Sequence, residues 1–180
     1  MTDSANLKSA GFDPAGKTVV VTGAGNGIGA GLAAAMAARG ARVVVADLDA
    51  EGAHRTVATI VAAGGTALAV PGDAASQEGV DALIAAAREG YGPIDAWFAN
   101  AGVDRGRGLE ATDVEWDLSW NVNVLAHVHA ARRLVPEWIE RGGGRFVVTA
   151  SAAGLLTMLD APAYSVTKHG AVAFAEWLSA

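Results

Sequence analysis

The chain has 180 residues, 52% of them apolar, a net charge of −6 and no cysteine. That length can bury one sizeable core and gives no reason to expect a second domain. The acidic residues are scattered with no basic run to neutralise a row of phosphates, which excludes a nucleic-acid partner, and the lack of cysteine excludes disulfides, thiolate metal sites and a thiol nucleophile.

Residues 1–16, MTDSANLKSAGFDPAG, are polar and read as a flexible extension. They lack the apolar segment of a secretory leader, and nowhere do about 18 apolar residues run together as a membrane span requires. A soluble, cytoplasmic protein with no membrane partner is expected.

Thr18 to Thr22, TVVVT, is a short β-branched run ending in glycines, as a buried strand does. The alanine-rich stretch from Ile28 to Arg39 reads as a helix closed by Gly40, and RVVVAD from Arg42 to Asp47 as the next strand. The alternation continues with a helix over about 50–63, a strand at 67–70, a helix over about 77–89 and a strand at 94–99. A long helix over about 113–140, a strand at 145–150 and a last helix from Pro162 complete the series.

Strands apolar throughout, separated by amphipathic helices, predict an α/β protein: a doubly wound parallel sheet, or Rossmann fold, forming a single domain over 17–180. Its ligand crevice belongs at the carboxyl ends of the strands. After the last helix no residues remain for a returning strand, so the sheet reads as lacking its last strands, with 145–150 as an edge.

TGAGNGIG, Thr22 to Gly29, falls between the first strand and the first helix. Gly23 suits a tight turn, while Gly27 and Gly29 admit close backbone approach to a pyrophosphate facing the free N–H groups of the helix. The alternative is a plain tight turn. Asp47, at the end of the second strand, is placed to accept hydrogen bonds from an adenosine ribose and to repel a 2′-phosphate, which favours NAD over NADP. A helix N-cap is the other reading of this acid, a role open to Asp49 as well.

The glycine spacing, the NAG at Asn100, Ala101 and Gly102, and the Tyr164-x-x-x-Lys168 pair occur in the order and spacing of the short-chain dehydrogenase/reductase family. The chain resembles that family from about Gly16 onward. The resemblance implies that Gly23, Asn26, Gly27, Ile28 and Gly29 surround the pyrophosphate and that Asp73 contacts adenine, an Asx-turn being the alternative for Asp73. It also implies that Asn100 ties neighbouring strands together and that Gly102 lets the chain pass the cofactor. Ala99 stands where the family has another asparagine, so one polar contact is expected to be missing.

Residues four apart on a helix share a face, so Tyr164 and Lys168 can act on one ligand. A free phenol, with a pKa of about 10, is a poor base at neutral pH, and a neighbouring ammonium favours its anion. By resemblance, Lys168 also holds the nicotinamide ribose, Tyr164 exchanges the proton of the substrate oxygen, and Ser151 hydrogen-bonds that oxygen. Ser151 could otherwise be a strand-end turn residue. Asn123, seven residues after Trp116, matches the family asparagine that bends its helix and anchors a water linking Lys168 to solvent; Asn121 reads as a solvated helix residue.

The expected function is an NAD-dependent oxidoreductase interconverting a secondary alcohol and a ketone. The alternative is a non-catalytic nucleotide-binding fragment or interaction module. Leu155, Leu156, Met158 and Leu159 suggest an apolar substrate pocket or, equally, the closing of a core. His127 and His129, two apart, point in different directions and make no metal pair, so no metal is expected. The resemblance implies a homodimer or homotetramer whose contact hides Ala171, Val172 and Phe174, while Trp138 and Trp177 read as packing residues or, alternatively, as part of that contact.

Overall fold

The computed structural model describes residues 11–180. Five strands form one sheet in the order β3-β2-β1-β4-β5, and all four neighbouring pairs are parallel. They are β1 (Thr18–Thr22), β2 (Arg42–Asp47), β3 (Thr66–Pro71), β4 (Ala96–Ala99) and β5 (Arg145–Val148). The main helices are α1 (Gly27–Ala38), α2 (Ala50–Ala62), α3 (Gln77–Tyr91), α4 (Asp113–Trp120), α5 (Ala126–Glu140) and α6 (Pro162–Leu178).

The period of two along each strand divides the core between the faces of the sheet. Val19, Val21, Val43 and Val45 pack with Ala33 and Ala37 of α1 and with Ala53 and Ile60 of α2. Val20, Val44 and Trp97 pack with Leu83 and Ile84 of α3 and with Ala130 and Leu134 of α5. Because helices cover both faces, every residue of β1 is buried, which is why the strand reads as a continuous apolar run.

Of the extension expected over 1–16, residues 1–10 lie outside the described residues. Residues 12–16 are held on the domain: Phe12 packs on the α1–α2 side, Pro14 is buried, and Gly16 N donates to Gly40 O at 2.9 Å. The helix expected over 113–140 is one continuous run with a five-residue π turn, Asn121–Leu125, between α4 and α5. Of the two readings of Trp138, packing holds. It is 5% exposed, and its Nε1 donates to Ile94 O at 2.7 Å, so it is core. Ala171 is buried within the chain as well, whereas Trp177 is exposed.

Chain order reverses between β1 and β4, with β2 and β3 on one side and β5 on the other. A crevice forms where the connections leave a sheet in opposite directions. At the carboxyl ends stand Gly23 after β1, Asp47 ending β2, Asp73 after β3, Asn100 after β4, and Thr149 to Ser151 after β5.

Candidate active site

A cleft of about 1050 Å³ runs along these strand ends, lined by Asp47 and Asp73 at one end and by Tyr164 and Lys168 at the other. Gly23, Asn26, Ile28 and Gly29 contribute to its wall, as do Asn100, Ala101 and Gly102. A second hollow of about 570 Å³ lies beside β5 between α5 and α6, lined by Trp138, Phe146 and Leu178 and by none of the motif residues.

Close approach shapes the first turn. Gly23 has φ +63°, where a side chain is strained. A methyl at Gly29 would overlap the Gly23 carbonyl oxygen and lie 2.5 Å from Asn100 Nδ2. Gly27, at φ +53°, opens α1, and exposed Ile28 follows it on the cleft side. Asn26 occupies the N-cap position without a side-chain cap bond.

Asp47 is held by two backbone donors, Gly25 N at 2.8 Å and Asp49 N at 2.9 Å. The N-cap position of α2 belongs to Asp49, not Asp47. Asp73 lines the cleft and also makes the Asx-turn considered for it, its Oδ1 accepting from Ala75 N at 2.8 Å. Asn100 joins three strands. Its Nδ2 donates to Thr22 O and Gly23 O at 2.9 and 3.2 Å, and its Oδ1 accepts from Thr149 Oγ1 at 3.0 Å.

Lys168 is 3% exposed, and burial lowers its pKa below the usual lysine range. Its Nζ donates to Thr149 O at 2.8 Å and lies 5.7 Å from the centre of the Tyr164 ring. Tyr164 is half-buried on the same cleft wall, so the two motif side chains are together and open to one space. Ser151 caps a short 3₁₀ turn, its Oγ accepting from Ala153 N at 3.2 Å, and it does not line the cleft. Asn123, fully buried in the π turn, accepts from Val103 N and donates to Val103 O and Thr167 Oγ1 at 2.9, 2.9 and 3.0 Å.

Sequence reading missed four partners. Thr22 Oγ1 accepts from Asn100 N and Ala101 N, both at 3.1 Å, and donates to Phe98 O. Thr149 holds both Asn100 and Lys168. Thr167, between the two motif residues, holds Asn123, and Val103 supplies only backbone. A threonine on a buried helix or strand-end position, where it must find a partner, was the available signal for the first three; nothing in a valine's identity marks its backbone.

Leu155, Leu156 and Leu159 are 75%, 70% and 95% exposed, so they close no core. Arg107 pairs with Asp104 at 2.7 Å, while Arg105 lines the cleft. Among the described residues no cluster of histidines and carboxylates has the makings of a metal site, and no helix is long and apolar enough to cross a membrane.

His127 is buried, and desolvation together with the Lys168 ammonium pushes its imidazole down to about 4 from 6.5. Between those values the unfolded chain binds more protons than the folded one. The stabilisation from this neutral group is therefore complete above about 6.5 and is lost as pH falls through about 4. Urea unfolding midpoints are expected to fall more steeply between pH 7 and pH 4.5 in the wild type than in His127→Gln. Parallel curves would contradict the assignment.

The dinucleotide the sequence implies fits this cleft: glycines 23 and 29 remove Cβ atoms from its wall, and a Cβ at Gly102 would lie 3.3 Å from both Asn123 Oδ1 and Lys168 Nζ. The short-chain dehydrogenase family model matches residues 17–180. A cyclohexanol dehydrogenase of Acinetobacter sp. is 36% identical over 156 residues, covering 86% of this chain and 62% of its own. The ketoacyl reductase HetN of Nostoc sp. is 36% identical over 162 residues, covering 87% of this chain and 55% of its own. A short-chain dehydrogenase/reductase from Burkholderia phymatum, solved in complex with NAD, superposes with a TM-score of 0.88 at 37% identity, over 93% of this chain and 60% of that one. The chain therefore spans between about half and two thirds of the length of these relatives. With the parallel sheet, the glycine turn and the Tyr164–Lys168 pair in place, it belongs to the short-chain dehydrogenase/reductase family.

Proposed function

We propose that this chain carries the cofactor-binding and reacting groups of an NAD-dependent oxidoreductase that interconverts a secondary alcohol and its ketone. The observation that carries the reading is one cleft with Asp47 at one end and the Tyr164–Lys168 pair at the other. NAD, when bound, supplies the hydride acceptor.

In this reading Gly23, Asn26, Gly27, Ile28 and Gly29 take the pyrophosphate at the start of α1, Asp47 the adenosine ribose, and Asp73 the adenine. Asn100, Ala101 and Gly102 form the middle of the wall. Lys168 holds the nicotinamide ribose, and its ammonium attracts negative charge developing on the Tyr164 oxygen. Tyr164 Oη takes the hydroxyl proton in oxidation and returns it in reduction. Ser151 steadies the substrate oxygen, and Asn123 is a positioning residue that clamps the Val103 backbone to α6.

The exposed leucines 155, 156 and 159 beside the β5 end support an apolar substrate. The relative that dehydrogenates cyclohexanol and the NAD-bound neighbour support the alcohol class and the cofactor. A cytoplasmic homodimer or homotetramer belongs to the same reading; exposed Trp120 and Val166, on the packed pair α4 and α6, support association.

Calorimetric titration is expected to give NAD binding tighter than NADP by roughly tenfold or more, since the Asp47 carboxylate repels a 2′-phosphate. Asp47→Ala is expected to shrink that preference. Tighter NADP binding by the wild type would overturn the cofactor assignment. Oxidation of a panel of secondary alcohols, followed at the absorbance band of reduced nicotinamide, tests turnover. NAD binding without turnover would instead favour a nucleotide-binding module.

A further inference from the structure

The connection that follows β4 carries two arginines with different surroundings. Arg107 is committed within its own loop, its Nη1 and Nη2 donating to Asp104 Oδ1 and Oδ2 at 2.7 and 3.2 Å. Arg105 reaches only a backbone neighbour, Asp104 O at 3.3 Å, and among the described residues no carboxylate oxygen lies within 4.0 Å of its guanidinium. The Glu115 carboxylate, on α4, accepts instead from Thr112 N and Thr112 Oγ1, both at 2.9 Å. Arg105 lines the cleft, where the other cation, Lys168, is buried. It is the one exposed lysine or arginine on that wall.

An arginine on a loose loop would carry no such meaning, but this loop is fixed on both sides of Arg105. Asn123 clamps Val103 through its N–H and its carbonyl oxygen, both at 2.9 Å. Gly106 is buried at φ +78°, and a Cβ there would stand 2.7 Å from Ala111 Cβ. Gly108 N donates to Asp160 O at 3.0 Å. These anchors also decide which end of the cleft Arg105 serves. A Cβ at Gly102 would lie 3.3 Å from Lys168 Nζ, and Arg105 follows Gly102 by three residues, about 11 Å of extended chain at most. Asp160 precedes Tyr164 by four residues. The reacting end is thus flanked by Arg105 on one loop and by exposed Leu155, Leu156 and Leu159 on the other.

We propose that Arg105 is a substrate-binding residue and that the alcohol or ketone handled at Tyr164 carries a carboxylate, which pairs with the Arg105 guanidinium while the apolar body lies against the leucines. The substrate class is then an apolar hydroxy acid and its keto acid. The proposal rests on the reading of this cleft as an oxidoreductase site with Tyr164 at its reacting end.

A guanidinium presents a planar fork of N–H donors that meets the two oxygens of a carboxylate with parallel hydrogen bonds. A dianionic phosphate ester is the poorer match, since the Asp160 and Glu115 carboxylates, near enough to act on Arg107, oppose a second negative charge. The pyrophosphate of the dinucleotide is the other anion for this cleft, and the start of α1 takes it in the reading above.

The test uses a series of straight-chain hydroxy acids that differ in the number of carbons between carbinol and carboxylate, each beside its methyl ester. For at least one spacing the wild type is expected to favour the acid by about fivefold in kcat/KM, chiefly through KM, as suits an ion pair that solvent reaches. High salt is expected to shrink the preference. Arg105→Met keeps the length and removes the charge, and is expected to bring the acid-to-ester ratio close to one, while Arg105→Lys retains part of it. An Arg105→Met protein that still favours the acid would overturn the proposal, as would a wild type that favours no acid of the series. So would a loss of NAD affinity in Arg105→Met, which would put the guanidinium on the cofactor phosphates. Calorimetric titration of the matching keto acids and keto esters in the presence of NAD, where both partners are oxidised and no hydride can pass, reads binding apart from turnover. Tighter binding of the keto acid by the wild type but not by Arg105→Met, with no hydroxy acid oxidised, would sink the oxidoreductase reading and leave the Arg105 site standing; turnover with equal binding of keto acid and keto ester would do the reverse.

Discussion

Tyr164→Phe is expected to lower turnover of a secondary alcohol by roughly a hundredfold to ten-thousandfold, the usual contribution of a positioned acid/base. Phenylalanine keeps the ring, its half-buried packing on α6 and its position 5.7 Å from Lys168 Nζ. The change removes only the oxygen that would carry the proton. NAD affinity is expected to stay within about threefold, because the cofactor contacts assigned to the turn and to Asp47 are untouched, and the loss should appear in kcat more than in KM. Turnover by the variant equal to that of the wild type would remove Tyr164 from the mechanism.

Gly29→Ala is expected to destabilise the protein by about 3 kcal/mol, at the top of the usual range for overpacking. The added methyl points at the Gly23 carbonyl oxygen and comes within 2.5 Å of the Asn100 amide nitrogen. Both are fixed: Gly23 by its turn at φ +63°, and Asn100 by bonds to Thr22 O, Gly23 O and Thr149 Oγ1. No flexible side chain can yield, so α1 must move away from β1 and the cleft wall moves with it. Urea denaturation and NAD titration should therefore fail together. A variant with an unchanged midpoint and unchanged NAD affinity would contradict the close packing of this turn.

The same turn explains why so much of the fold was legible. β1, β2 and β4 are buried on both sides, so their sequences are unbroken apolar runs, and the glycines after β1 stand where backbone meets backbone. The placing of Tyr164 and Lys168 on one cleft wall was legible because a spacing of four on a helix fixes a shared face. A bend at Asn123 followed from the resemblance, but its form as a π turn over Asn121–Leu125 did not, since NVNVL fits an α-helix equally well and the turn goes with tertiary bonds from Asn123 to Val103 and Thr167. Trp138 carried two readings for a related reason. An indole near the end of a helix suits a surface contact or a core, and only the Ile94 carbonyl, brought near by the sheet, decides between them.

Ser151 and Asp73 show where local structure and chemistry overlap. Each makes the short-range bond that a turn would demand, to Ala153 N and Ala75 N. Each retains further capacity: the Ser151 hydroxyl its proton, the Asp73 carboxylate its second oxygen. For Asp73, on the cleft wall, the two readings are therefore compatible, whereas Ser151 does not line the cleft.

Crystals of the chain grown with NAD test the central claim most directly. The account predicts the adenosine ribose against Asp47, the pyrophosphate on the Gly23–Gly29 turn, and the nicotinamide ribose within hydrogen-bond reach of Lys168 with the Tyr164 oxygen facing the nicotinamide. NAD bound outside this cleft, or lying in it with the Tyr164 oxygen turned away from the nicotinamide, would contradict it.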